Sequence, residues 1–304
     1  MTPDSATDMP DPSGDIEEGL RLEKFGMLDR ALAHYEAAAN GDDPLTVATA
    51  WRRRASVLRT RCDWEGALAA ARESAAVAIR HGLHEAHAEA LNAEAAVFQS
   101  QGDFGAASPL LERILDMTAD PRIRGVALQN LGAIAAEGGD LETAEHRFLE
   151  SYRCFQAADY AWGQAFALNN YGRAAMDREN FEIAERVLVR AVDLAREIED
   201  LDLAALATMN LAETMLCAQE FERADEAAST ALGYFDMAGN RWRRVECLRL
   251  LGDINHRDGQ AEIARRCYEQ GLELARELGV QLEVTRLEAR IRALGDSSTS
   301  ETTG

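Results

Sequence analysis

The feature that most constrains this chain is an alanine that returns at nearly fixed intervals behind a turn. It closes CDWEGA (62–67), GDFGAA (102–107), GDLETA (139–144), ENFEIA (179–184), QEFERA (219–224) and GQAEIA (259–264), with GMLDRA (26–31) as a weaker first copy. The alanines fall at 31, 67, 107, 144, 184, 224 and 264, so the period is 36 to 40 residues. Twelve residues before each stands another small residue: Gly19, Ala55, Ala95, Gly132, Gly172, Ala212 and Gly252. Two small positions per unit let two helices approach closely. Each unit reads as helix, tight turn, helix, with Gly closing the first helix and Asp, Asn or Glu opening the second. The second helices are amphipathic at helical spacing, as in Ala184, Leu188, Ala191, Val192, Ala195 and again in Ala264, Tyr268, Gly271, Leu272, Ala275. One such unit cannot bury its apolar face alone, but stacked units can. Ala, Leu, Glu and Arg dominate and no alternating β-branched run occurs, so the fold class is all-α.

Within this frame the chain resembles the tetratricopeptide repeat family. Leu128, Leu131, Gly132, Gly139, Asp140, Leu141 and Ala144 fill the family pattern closely, as do Leu168, Tyr171, Gly172, Phe181 and Ala184, and Trp51 takes its favoured Trp position. The resemblance covers roughly residues 15–280. It departs in length, about 40 residues per unit rather than 34, which implies helices about a turn longer, as in the long variants of kinesin light chains and bacterial peptide-pheromone receptors. HEAT and armadillo arrays share that period but lack the Gly-Asp-aromatic-x-x-Ala signature. The fold implied is a right-handed superhelical solenoid of about seven helix-turn-helix repeats over 14–294. QLEVTRLEARIRAL (281–294), with Leu282, Val284, Leu287, Ile291 and Leu294 on one stripe, is expected to cap its open end. Residues 1–13 and 295–304, polar and rich in Pro, Ser and Thr, are expected to be disordered.

In this family the first helix of each unit lines the concave wall, at 18, 15, 11, 8 and 7 residues before the anchor alanine. The position fifteen before it reads Ile16, Arg52, Asn92, Gln129, Asn169, Met209 and Arg249. Asn92, Gln129 and Asn169 form a ladder of amides, each able to donate and accept, that could pair with the backbone of an extended peptide. Gln99, Arg59 and Arg173 lie on the same wall. Arg52, Arg59, Arg173 and Arg249 suit acidic groups on a partner, and Val126, Phe166, Met176, Leu206, Met209 and Leu216 suit its apolar side chains. Asn130, Asn170 and Asn210, one position on, are expected to satisfy local or inter-repeat hydrogen bonds. One before the small residue, Glu18, Arg54 and Glu94 replace the apolar groups of later units and are expected to stack as a buried rung, so that Arg54→Leu would destabilise the chain.

Other chemistry is thinly represented. The balance of 53 acidic against 32 basic residues, a net charge of −21, argues against nucleic-acid and anionic-membrane binding. Five cysteines without a CxxC pair read as free thiols, Cys217 among them approaching the groove, and no leader or membrane span is apparent, so the expected location is cytoplasmic. His81, His84 and His87 are spaced for a metal but lack supporting ligands, and His84 and His87 are expected to be exposed. No phosphate loop, nucleophile elbow or HExxH motif occurs. The reading is a non-enzymatic scaffold or adaptor, without cofactors, that holds a protein or peptide segment. A self-assembling solenoid, with homo-oligomers, and a regulatory sensor of a peptide or small ligand are the alternatives.

Overall fold

A computed structural model describes residues 12–300, with side chains over 14–295. Fifteen helices fill it among the described residues, with no strand. They pair as α1 (Pro12–Lys24) with α2 (Leu28–Ala39), α3 (Pro44–Thr60) with α4 (Trp64–Arg80), and α5 (His84–Ser100) with α6 (Phe104–Met117). After α7 (Pro121–Glu137) and α8 (Leu141–Ala157) come α9 (Ala161–Asp177) with α10 (Phe181–Glu197) and α11 (Leu201–Cys217) with α12 (Phe221–Ala238). Last are α13 (Arg241–Arg257), α14 (Ala261–Glu277) and the single α15 (Gln281–Ser300). The all-α solenoid read from the period is the fold observed. It divides into two compact units, residues 1–134 and 135–304.

The period has a simple structural origin. A 17-residue helix and a three-residue turn make twenty residues, and two of these make one repeat. The turn puts one residue in the left-handed conformation at 139, 159, 179, 199, 219, 239, 259 and 279. At Glu179 the N–H bonds back to Met176 O, and the next N–H, of Asn180, reaches Ala175 O, so the last carbonyls of α9 are satisfied. Glycine takes the left-handed place at seven turns of the chain, but Cys62, Asp159, Glu179, Glu199 and Gln219 take it at five others despite their Cβ atoms. The shorter spacing of 37 before Ala144 arises at α6, which has 14 residues and ends in an extended Thr118.

The paired small residues set how closely each helix pair packs. In unit 1 a Cβ on Gly19 would lie 2.4 Å from the Tyr35 ring, and in unit 2 one on Gly252 would lie 2.2 Å from Tyr268. Where alanine replaces the glycine, its counterpart is smaller, as for Ala55 beside Ala71 and Ala212 beside Ala228. Within each unit, first helices also touch the first helix of the next pair, α3 with α5 in unit 1 and α9 with α11 in unit 2. Second helices make no such contact among the described residues. The first helices therefore form the inner wall, and their four-residue steps decide what faces the groove.

Two expectations fail in packing. Glu18, Arg54 and Glu94 form no rung: Glu18 pairs with Arg21 on its own helix, Arg54 lies over Trp51 and 3.9 Å from Glu36, and Glu94 accepts from Arg72 at 2.8 Å. Each long side chain reaches a partner nearer the surface, where desolvation is cheaper than in a buried stack, which removes the basis for a large Arg54→Leu effect. The cap also continues past 294 to Ser300, because Gly295 takes helical backbone instead of the left-handed stop. The expectation of disorder for 1–11 and 301–304 falls outside the described residues.

Candidate functional site

In unit 1, α3, α5 and the start of α7 enclose a cavity of about 300 Å³ on the inner wall. The expected groove positions furnish it: Arg52 and Arg59, Asn92, and Val126 all line it. Arg53, Arg122, Ser56 and Glu89 complete the polar lining, with Ala93, Ala96 and Ile123 as apolar patches. Four guanidinium groups thus meet one carboxylate in a chain of net charge −21. Burial pushes Arg52 below its ordinary pKa, Glu89 opposes that shift, and neighbouring Arg53 and Arg122 add to it. Such a gathering of positive charge, part-buried at Arg52, Arg53 and Arg59 and exposed at Arg122, suits an anion.

The individual contacts show how much of that charge is already satisfied. Arg52 Nη2 lies 3.2 Å from Glu89, whose side chain is 42% exposed. Arg59 donates to the Ser100 hydroxyl at 3.2 Å. The Arg53 Nε is sealed from solvent with no hydrogen-bond partner in the protein. Arg53 and Arg122 were missed in the sequence reading, although Arg122 stands one helical turn before Val126, a residue already placed on the groove.

The amide ladder has another use. Asn92 lines the cavity, but its carbonyl accepts from Asn130 at 2.8 Å, and Gln99 donates to the Asn130 carbonyl at 3.3 Å. In unit 2 the same register recurs: Asn210 donates to the Asn169 carbonyl at 2.8 Å, and Asn169 donates to Asn170 at 3.1 Å. Asn169 is 2% exposed and Gln129 6%. Asn130 and Asn210 are thus the inter-repeat bonds expected of them. Asn169, expected to meet a peptide backbone, is instead closed into that clasp. An amide that donates and accepts at once pairs with the next repeat's amide as readily as with a ligand.

Arg173 and Arg249 in unit 2 are likewise paired. Arg173 lies 3.5 Å from both Asp177 and Glu213. Arg249 is 3.3 Å from Glu283, a buried residue of α15 that also accepts from Arg286 at 2.5 Å. Asp253 receives two bonds from Arg290 and one from the Tyr268 hydroxyl, tying the cap to α13 and α14. Met176, Met209 and Leu216 turn into the core, whereas Phe166 remains half-buried and stacks on Trp162 at 5.0 Å.

The remaining chemistry is spare. His87 is buried rather than exposed, and burial, Arg113 and His84 lower its pKa. The described residues contain no cluster of three or more metal-ligating side chains. None of the five cysteines is in a disulfide; burial raises Cys217, and pushes Cys247 up to about 12. No described helix is long and apolar enough to cross a membrane.

A profile of the tetratricopeptide repeat family matches residues 46–120, the segment that holds most of this cavity. Those residues are tetratricopeptide repeats. No curated protein matches the chain in sequence. Solved structures of the same fold include the tetratricopeptide repeat sensor of a signal transduction ATPase with numerous domains from Pyrococcus horikoshii. That match has a TM-score of 0.71 and 13% identity and covers 93% of this chain and 44% of that one. A Rap protein in complex with competence and sporulation factor matches with a TM-score of 0.65 and 13% identity over 95% of this chain and 87% of that one. BtubC from P. vanneervenii matches with 0.63 and 18% identity over 71% and 92%. At these identities the likeness is one of fold. The tetratricopeptide repeat architecture, with its inner wall of first helices, is that of a protein-interaction scaffold.

Proposed function

We propose that this tetratricopeptide repeat protein is a non-catalytic scaffold that holds an acidic segment of a partner protein against the inner wall of unit 1. The observation that carries the reading is the cavity among α3, α5 and α7, where four arginines face one glutamate. Arg52, Arg53, Arg59 and Arg122 hold the acidic groups there, Asn92 and the nearby Gln99 add polar contacts, and Val126 and Ile123 receive apolar atoms. The same fold in a Rap protein accommodates competence and sporulation factor, which supports a bound partner as the ligand of such a wall. In unit 2, Arg173, Arg249 and Asn169 play a structural part, because carboxylates or amides of the chain itself already occupy them.

The test is site-specific photo-crosslinking in cells that make the protein, with the crosslinker at Val126 or, as control, at exposed Ile263 of α14. A partner trapped at 126, absent at 263 and lost on Arg59→Glu/Arg122→Glu bears out the reading. Equal trapping at the two positions, or trapping indifferent to the arginines, refutes it.

A further inference from the structure

We propose that the arginine-lined cavity of unit 1 is a site for a phosphate monoester. This rests on the cavity being the binding site and names its ligand chemistry. Two observations lead there. Even with Arg122 left out of the count, the lining carries two more positive charges than negative ones, Arg52, Arg53 and Arg59 against Glu89. A side-chain carboxylate supplies one negative charge and would leave half of that excess, whereas a phosphate monoester supplies ~1.5 to 2 at neutral pH. The Arg53 Nε is buried with no acceptor in the protein, and a buried charged donor without a partner is one of the costliest groups a fold can hold. The three outer oxygens of a phosphate accept from several guanidinium donors at once, where a carboxylate has two.

The dimensions agree. A cavity of about 300 Å³ exceeds what the phosphate itself needs, and Ile123 and Val126 give its surplus an apolar side. That side suits the organic group bearing the phosphate. The phosphate could arrive on a modified Ser or Thr of the partner segment or on a free small phosphomonoester, since both present the same dianion.

Calorimetric titration of the purified full chain separates these cases. The probes are inorganic phosphate and the capped tripeptides Ala-phosphoserine-Ala, Ala-Asp-Ala and Ala-Ser-Ala. At pH 7.5 the phosphopeptide should bind at least ~tenfold more tightly than the aspartate peptide, and the ratio should shrink towards pH 5 as the second phosphate proton (pKa about 6) returns. Arg122→Gln, at an exposed position, should weaken phosphopeptide binding several-fold with its circular dichroism unchanged. Arg53→Gln should weaken it more. Inorganic phosphate binding as tightly as the phosphopeptide supports the site and assigns a free phosphomonoester; weaker binding supports it and assigns a modified partner. Equal affinity for the phosphopeptide and aspartate peptide, independent of pH, overturns the phosphate assignment while leaving the acidic-segment reading intact. No saturable binding by any anion overturns it too, and the crosslinking result then decides the scaffold reading separately.

Discussion

Replacing Gly252 by alanine probes the close packing that generates the repeat. The new Cβ would stand 2.2 Å from Tyr268 Cε1 and 2.4 Å from its Cδ1, far inside contact distance. The ring has little freedom to yield: Tyr268 is 1% exposed, and its hydroxyl donates to Asp253 at 2.7 Å, which also holds Arg290 of the cap. Forcing a methyl into such a site costs ~1–3 kcal/mol, and swinging the ring would also forfeit a hydrogen bond to a carboxylate worth ~1.5–3 kcal/mol. Against this, alanine is better than glycine inside a helix by ~1 kcal/mol. The expected net loss is ~1.5–5 kcal/mol from those terms. In a Tyr268→Ala background the obstacle is gone, and the same substitution should become stabilising by up to ~1 kcal/mol. The sign change matters more than either magnitude. Because repeat arrays can unfold piecemeal, the assay is native-state hydrogen exchange of α13 and α14 amides in all four members of the cycle. Equal destabilisation in both backgrounds, or a neutral effect in the wild type, would refute the packing argument.

Asn210→Ala should cost ~1–3 kcal/mol by leaving the buried Asn169 carbonyl without its donor, and the Asn169→Leu/Asn210→Leu pair should cost less than Asn210→Ala; urea midpoints check both. Glu179→Gly and Gln219→Gly, at φ of 63° and 64°, should each raise stability by ~0.5–1 kcal/mol by relieving a left-handed side chain, whereas Gly139→Ala should lower the melting temperature. Burial first, then Asp177 and Glu246, hold Glu213 above its ordinary 4.5, with Arg173 and Arg249 opposing. A carboxyl raised on folding binds more protons in the native state, so its contribution falls as pH rises from 4.5 through its folded pKa. Glu213→Gln should therefore gain on the wild type across that window, and parallel urea midpoints at pH 4, 5.5 and 7 would count against it.

The recurring alanine and the small residue twelve before it were enough to give the all-α repeat and the helix pairing, and the resemblance to the tetratricopeptide repeat family supplied the face of each first helix expected to look into the groove. Those properties follow from a backbone period and from side-chain directions that helical geometry fixes locally. Arg52, Arg59, Asn92 and Val126 were legible as groove residues for that reason. Which of these positions stays open is a tertiary matter. Asn169 found its partner 41 residues away in Asn210, and Arg249 found Glu283 in the cap. The reverse holds in unit 1, where Arg53 and Arg122, unremarkable in sequence, converge with Arg52 and Arg59 around a single glutamate. Long arginine and amide side chains can reach several neighbours, and only the packing of successive repeats decides which one each takes. Periodicity therefore specified the helices, the family's register pointed to their inner wall, and the contacts between repeats decided which of its side chains are tied up by the chain itself.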